Sequence, residues 1–320
     1  MGDIHVLIIY NPVAGKGVIK KSLGKIKKLF SDNGIKVMTF ATKGKDDAYR
    51  AAAKYAVKFG EKSENDRYYV IAAGGDGTLD EVMKGVLDSG RDIPVGIIPV
   101  GSTNDFGYSL GISGEPVKDA GKILNAIEEN RTFRCDVATL NGEYYTYTAS
   151  FGLFSDVSYA TPRKLKNMFG HLAYIMYGAI NLPKTKKIHT KIEYDGKKLE
   201  KDLLLGMAVS AKSVGGFRKI TGRDVCLDDG LFELMIVLWP KNPIELLKNI
   251  KQAVGLMRGD KKAERETKDI DNGNGIKIVK AREIKFCFKD RIPFSVDGEF
   301  GGNLEKGKIK VIRRKISYTI

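Results

Sequence analysis

Tyr69-Val70-Ile71-Ala72-Ala73 runs directly into Gly74-Gly75-Asp76-Gly77-Thr78-Leu79-Asp80-Glu81. The first five residues are apolar without alternation, the pattern of a strand covered on both faces. A glycine-rich turn around one aspartate follows, and Thr78 to Leu87 has helical spacing. Strand, turn and helix in immediate succession form the repeating unit of a parallel α/β sheet. Glycine lets backbone N–H groups approach phosphate oxygens, and the helix N-terminus that follows favours an anion. Asp76 is placed to orient a metal ion or a water beside such phosphates. A tight turn with no ligand is the plain alternative.

The same grammar extends on both sides. His5 to Tyr10, Lys36 to Phe40 and Val95 to Ile98 read as strands, and Val18 to Phe30 and Asp46 to Phe59 as helices. Two further loops follow strands: Asn11-Pro12-Val13-Ala14-Gly15-Lys16-Gly17 and Pro99-Val100-Gly101-Ser102-Thr103-Asn104-Asp105-Phe106. In such sheets ligands bind where the carboxyl ends of the strands gather. Three such loops on consecutive strands weaken the reading of each as a mere turn. Gly15-Lys16 is followed by Gly17, so this is no Walker A loop, and no dinucleotide GxGxxG follows a strand.

Near Phe133 the pattern changes. Thr139 to Gly152 alternates, and Asp195-Gly196 separates two alternating runs, Ile188 to Tyr194 and Lys197 to Leu204, a strong hairpin signal. Leu231 to Trp239, Ile276 to Val279, Glu283 to Phe288 and Lys308 to Ile312 read as short strands, with helices at Phe169 to Ile180 and Ile244 to Met257. The expectation is an antiparallel β-sandwich behind the α/β part. Gly259 to Gly275 reads as a charged, glycine-rich loop.

The bulk properties bound the partners. The 320 residues suit two domains, and 42% hydrophobic with 29% charged residues is globular composition. Cys135, Cys226 and Cys287 form no CxxC pair or zinc spacing and read as buried free thiols of a reducing compartment. Met1 to Tyr10 lacks the basic start and long apolar stretch of a signal peptide, and no run is long enough for a membrane helix. A cytoplasmic protein, at most peripheral to a membrane, is expected. The net charge of +15 favours nucleic acid, anionic lipid or nucleotide phosphates. No helix-turn-helix, RNA-binding strand motif or zinc finger supports nucleic acid. His5, His171 and His189 offer no metal spacing. Arg163, Lys164 and Lys166 beside Leu165, Met168 and Phe169 suit an anionic interface, against the plainer reading of a packed helix with a solvated face.

Asn11 to Gly15, Gly74 to Glu81, Pro99 to Phe106, Asp136, Lys166 to Tyr174, Leu227-Asp228-Asp229-Gly230 and Asp297-Gly298-Glu299 together resemble the diacylglycerol kinase catalytic-domain family, in its soluble bacterial branch. The resemblance covers essentially the whole chain. It implies a Rossmann-like ATP-binding domain, 1–136 plus about 302–320, and a β-sandwich lipid-substrate domain, 137–301. It implies ATP lined by Asn11, Pro12, Val13, Ala14, Gly15, Thr42, Gly74, Gly75, Asp76, Gly77, Thr78, Leu79, Asp80, Glu81, Ser102 and Asn104. Asp76, Asp105 and Asp136 would hold the active-site Mg²⁺, and Asp229, with carbonyls at Cys226 and Leu231, a structural one. Asp297 or Glu299 would take the proton of the lipid hydroxyl; two residues apart across Gly298, they leave the choice open. Lys16, Lys164 and Lys166 would face an anionic bilayer at the inner face of the membrane. A homodimer stays open. The family often carries Arg where this chain has Tyr108, which bears on headgroup preference. A kinase of a sphingoid lipid, phosphatidylglycerol or NAD, or a basic nucleic-acid binder, is the alternative.

Overall fold

The computed structural model describes residues 2–59, 65–153, 186–222, 224–267 and 275–320. It has an α/β part and a β-rich part, dividing into two compact units: Met1–Asp136 with Arg314–Ile320, and Val137–Arg313.

The first unit is built on parallel strands β1 (Ile4–Tyr10), β2 (Lys36–Ala41), β3 (Arg67–Gly74) and β4 (Val95–Pro99), in the order β2-β1-β3-β4. Both alternating sets of β1 are buried, Val6 and Ile8 on one side and Leu7 and Ile9 on the other, as the unbroken apolar run requires. Helix α1 (Val18–Asp32) packs on α5 (Pro116–Glu128); Ile19, Ile26 and Phe30 meet Ile123, Leu124 and Ile127 over Val6, Ile8 and Ile71. Helix α2 (Asp47–Phe59) packs on α3 (Asp76–Asp88). That approach is close because the facing residues are small: a Cβ at Gly85 would collide with the Tyr49 carbonyl and lie 3.0 Å from the Ala52 Cβ. A short helix, α4 (Asp105–Ser109), follows the third loop. Register pairs Tyr10 with Ala73 and Gly74 with Pro99, so the three glycine loops leave the sheet at one edge.

In the second unit the pairing is antiparallel. Strand β5 (Phe133–Leu140) leads in, followed by β6 (Glu143–Tyr145), β7 (Thr148–Gly152), β8 (Ile188–Tyr194) and β9 (Lys197–Val209). After the small ribbon β10 (Ser213–Val214) and β11 (Phe217–Arg218) come β12 (Phe232–Leu238), β13 (Ile276–Ala281), β14 (Glu283–Val296) and β15 (Glu299–Thr319), whose end from Arg314 belongs to the first unit and pairs parallel with β4. Two long strands organise the unit, since β9 and β14 each pair with β8 along one stretch and β7 along another. Asp195 (φ 43°) and Gly196 (φ 82°) make the expected two-residue turn, and the Asp195 carboxylate accepts from the N–H groups of Arg282 and Glu283. Helices α6 (Pro243–Arg258) and α7 (Lys261–Arg265) lie between β12 and β13, so part of the expected charged loop is helical. The expected helix at Phe169 to Ile180 lies outside the described residues.

Of the three cysteines only Cys135 is buried; Cys226 and Cys287 are exposed, contrary to expectation. The period of two along β14 sends Phe286 and Phe288 inward and Cys287 between them outward. Phe151 lies at the centre of the second unit's core, with ring centroids 4.8–5.3 Å from Phe288, Phe286 and Phe294. It covers Gly206, its partner on β9, where any Cβ would strike the ring. Phe151→Ala should therefore cost about 3–5 kcal/mol, the range for a buried aromatic truncated in a core that collapses poorly. Thermal or urea unfolding reads the loss, and a cost under about 1 kcal/mol would show that the cluster repacks.

Candidate active site

The first loop is held by its asparagine. The Asn11 N–H donates to the Ala73 carbonyl, and the Asn11 Oδ1 accepts from the Val13 N–H at 3.1 Å. Gly15, Lys16 and Gly17 then turn left-handed in succession, with φ of 56°, 57° and 80°. Lys16 is the one without glycine's freedom, and its side chain is exposed. Gly15 passes so near the end of β4 that a Cβ would strike the Val100 carbonyl. Pro12 and Ala14 are half-buried, Val13 is exposed, and the Thr42 N–H donates to the Tyr10 carbonyl.

The second and third loops touch backbone to backbone. A Cβ on Gly101 would lie 2.7 Å from the Gly75 Cα, so only glycine fits there. Gly74 has no room for a Cβ because Thr78 packs over it, whereas Gly77 faces open space. Gly75 caps α3 and puts Asp76 in its first turn, where the helix dipole favours a negative charge. In the third loop Asn104 turns left-handed (φ 53°); its Oδ1 accepts from the Gly101 N–H at 2.7 Å and its Nδ2 donates to the Gly101 carbonyl. Ser102 is exposed, and the Thr103 hydroxyl donates to Asp76 Oδ2 at 2.9 Å.

This brings two carboxylates together. Burial, and then the neighbouring charge of Asp105, raise the pKa of Asp76 above the usual carboxylate value, partly offset by Thr103 and by N–H donors of Asp105 and Phe106. Asp105 itself is 1% exposed. Asp136 lies at the end of the first unit's chain, and its Oδ1 accepts the Arg314 N–H at 2.7 Å. Leu79 is buried, and Asp80 pairs with Lys84 at 2.7 Å. Glu81 accepts from the N–H groups of Asp46 and Ala48 at 3.0 Å, capping the start of α2. Tyr108, where the family often has Arg, is half-buried on α4.

In the second unit the two candidate bases differ. Asp297 (φ 50°) and Gly298 (φ 84°) form the turn from β14 to β15. The Asp297 carboxylate accepts from the N–H groups of Thr146 at 2.7 Å, Tyr147 at 2.9 Å and Thr148 at 3.0 Å. Glu299 is exposed. At the other acidic turn, Asp229 Oδ1 accepts the Leu231 N–H at 3.0 Å, while Oδ2 meets Lys280 Nζ at 2.8 Å. The Cys226 thiol donates to Asp228. Beside them Glu233 is buried; desolvation and the Asp229 charge push its pKa up to about 8, against the pull of Lys280.

Among the described residues the ligand atoms of three acidic or imidazole side chains converge at one place, Asp3, His5 and Asp66. It sits at the start of β1, the opposite end from the glycine loops, and Asp3 pairs with Lys36. His189 lies between Asp202 and Glu200, whose hydrogen bonds raise its pKa. Lys164, Lys166 and His171 lie outside the described residues.

The comparisons with known proteins agree on one family. The profile of the diacylglycerol kinase catalytic domain matches residues 5–140. A diacylglycerol kinase of Bacillus subtilis (strain 168) is 35% identical over 298 residues, 93% of this chain and 90% of its own length. The chain belongs to the diacylglycerol kinase family. A diacylglycerol kinase of Staphylococcus aureus (strain Newman) is 34% identical over 93% of this chain and 86% of its own length. Among solved structures, a candidate diacylglycerol kinase of Bacillus anthracis str. Sterne superposes with a TM-score of 0.76 at 25% identity, covering 98% of this chain and 94% of that one.

As a member of the diacylglycerol kinase family this chain is an enzyme, and its strained charge pair has a thermodynamic consequence. A carboxyl whose folded pKa is raised binds its proton more tightly in the folded than in the unfolded state. Folding stability then falls as pH rises from the ordinary carboxylate value of 3.8 through the raised one. In metal-free buffer at neutral pH, Asp76→Asn should therefore keep or raise Tm while phosphoryl transfer is lost. A marked fall in Tm would make Asp76 a structural residue.

Proposed function

We propose that this protein transfers the terminal phosphoryl group of ATP to the hydroxyl of diacylglycerol, giving phosphatidic acid, in a magnesium-dependent reaction. The observation that carries the reading is Asp76, set among Gly74, Gly75 and Gly77 and held beside Asp105. The first unit is then a Rossmann-like nucleotide-binding unit and the second a lipid-substrate β-sandwich.

Two features fit the absent groups. The glycine loops form a cradle that a Cβ at Gly15, Gly74 or Gly101 would fill, as suits backbone amides gripping phosphates. Two adjacent carboxylates, one of raised pKa, form a hard oxygen donor set that a divalent cation relieves. When bound, ATP supplies the phosphoryl group and Mg²⁺ neutralises its charge. Asn11 to Gly15, Thr42, Ser102 and Asn104 would hold the nucleotide with Gly74 to Thr78. Leu79, Asp80 and Glu81 support the loop from behind, through burial, an ion pair and the α2 cap. Asp136 would act directly or through water. A second magnesium at Asp229, with the carbonyls of Cys226 and Leu231, fits less well, because the Lys280 ammonium already supplies the positive charge there.

Glu299 is the proposed base and Asp297 its positioning residue. The Asp297 lone pairs are committed to three amides, whereas Glu299 is exposed for proton transfer. Glu299→Gln should lower kcat about 10²–10⁴-fold with little change in the KM for ATP. Asp297→Asn turns an amide donor toward the N–H of Thr146 or toward those of Tyr147 and Thr148. It should mainly lower stability, by about 1–3 kcal/mol. Near-wild-type turnover in Glu299→Gln, with turnover lost and Tm kept in Asp297→Asn, would reverse the assignment.

Lys16, with Lys164 and Lys166, would attract the anionic inner face of the membrane in a cytoplasmic, peripheral protein, alone or as a homodimer. The direct test incubates the protein with labelled ATP and Mg²⁺ and separates products from a panel of diacylglycerol, sphingoid lipid, phosphatidylglycerol and NAD. Labelled phosphatidic acid as the main product is expected. Label in NAD alone would overturn the lipid assignment.

A further inference from the structure

Helix α6 is built to lie in a definite orientation. The Asn242 Oδ1 accepts the Glu245 N–H at 2.9 Å, Glu245 Oε2 returns a bond from the Lys241 N–H at 2.7 Å, and Pro243 opens the first turn. Gly259 closes the other end in the left-handed region (φ 73°). One face is pinned to its own unit. The Gln252 amide reads both the N–H and the carbonyl of Ile276, at 2.8 and 3.2 Å, and Asn249 and Leu256 are buried. Close packing on α7 follows from Gly255, where a Cβ would lie 2.8 Å from that of Ala263.

At 100° per residue the opposite face carries Ile244, Leu247 and Ile250, which are 66%, 66% and 49% exposed. Single exposed aliphatics need no explanation, but three on successive turns of one pinned helix form a patch. Lys251 and Arg258 project from the same outward half, Lys248 is exposed on its flank, and no acid occurs from Leu246 to Gly259. An aliphatic stripe flanked by cations is the character of a helix face that lies on a membrane surface.

We infer that the outward face of α6 docks the protein on an anionic phospholipid bilayer, the aliphatic side chains entering the headgroup layer and the three cations binding lipid phosphates. The charge pattern selects this occupant. A second copy would bring the same cations face to face in a protein of net charge +15. The inference rests on the lipid-kinase reading only in that a diacylglycerol substrate resides in such a bilayer; the surface itself is independent of the phosphoryl-transfer residues.

The test is co-sedimentation of the full chain with phosphatidylcholine vesicles, with and without phosphatidylglycerol, in the absence of ATP. Wild type should bind the anionic vesicles. Ile244→Ser/Leu247→Ser/Ile250→Ser should weaken binding at least about tenfold, and Lys248→Gln/Lys251→Gln/Arg258→Gln should lower the preference for phosphatidylglycerol. Every one of these residues faces solvent, so Tm should hold. Turnover of a short-chain diacylglycerol in neutral detergent should hold too. Unchanged vesicle binding by the triple serine variant overturns the inference. So does a wild-type dimer in sedimentation velocity that this variant makes monomeric while vesicle binding persists. Vesicle binding that follows the prediction in a protein without lipid-kinase turnover supports the docking face and counts against the kinase reading.

Discussion

Two like charges held side by side dominate the first unit. Asp76 and Asp105 are neighbours because the loops carrying them touch at Gly75 and Gly101, and a side chain on Gly101 would push those loops apart. In water the carboxylates would separate. Here the helix start at Gly75, the Asn104 brace and the Thr103 hydroxyl keep them in place. Burial first, and then the Asp105 charge, raise the pKa of Asp76.

Support for this pair reaches into elements that never meet a phosphate. Glu81 leaves α3 to cap α2, so a residue of the nucleotide motif also sets the packing of the neighbouring helix. The same division of labour recurs in the second unit. Asp297 spends its carboxylate on three consecutive amides and so fixes the turn that presents Glu299.

Much of this was legible in the residues. The unbroken apolar runs of β1 and β3 announce strands covered on both faces, and the glycines that follow mark the loops. The Asp195-Gly196 turn is as local as its signal. Length was harder to read. Strand β14 continues past Phe288 to Val296, with its register shifting between Cys287 and Ile292 and again between Pro293 and Ser295. Helix α5 went unread although Ile123, Leu124 and Ile127 carry its period. What stayed hidden was long-range: the amides that bind Asp297 lie about 150 residues away, and Lys280 reaches Asp229 across 51. No local pattern encodes such partners. Cys287 was misjudged for the opposite reason, since its apolar neighbours masked the alternation that turns it outward.

The central claim is that the confined carboxylates exist to bind a cation together with a nucleotide. Calorimetric titration of ATP into wild type and into Asp105→Asn, each with Mg²⁺ and with a chelator, tests it most directly. The account predicts that Mg²⁺ tightens ATP binding to wild type, and that Asp105→Asn loses most of that gain while keeping the weaker metal-free binding. ATP affinity that is the same with and without Mg²⁺ in both proteins would contradict it.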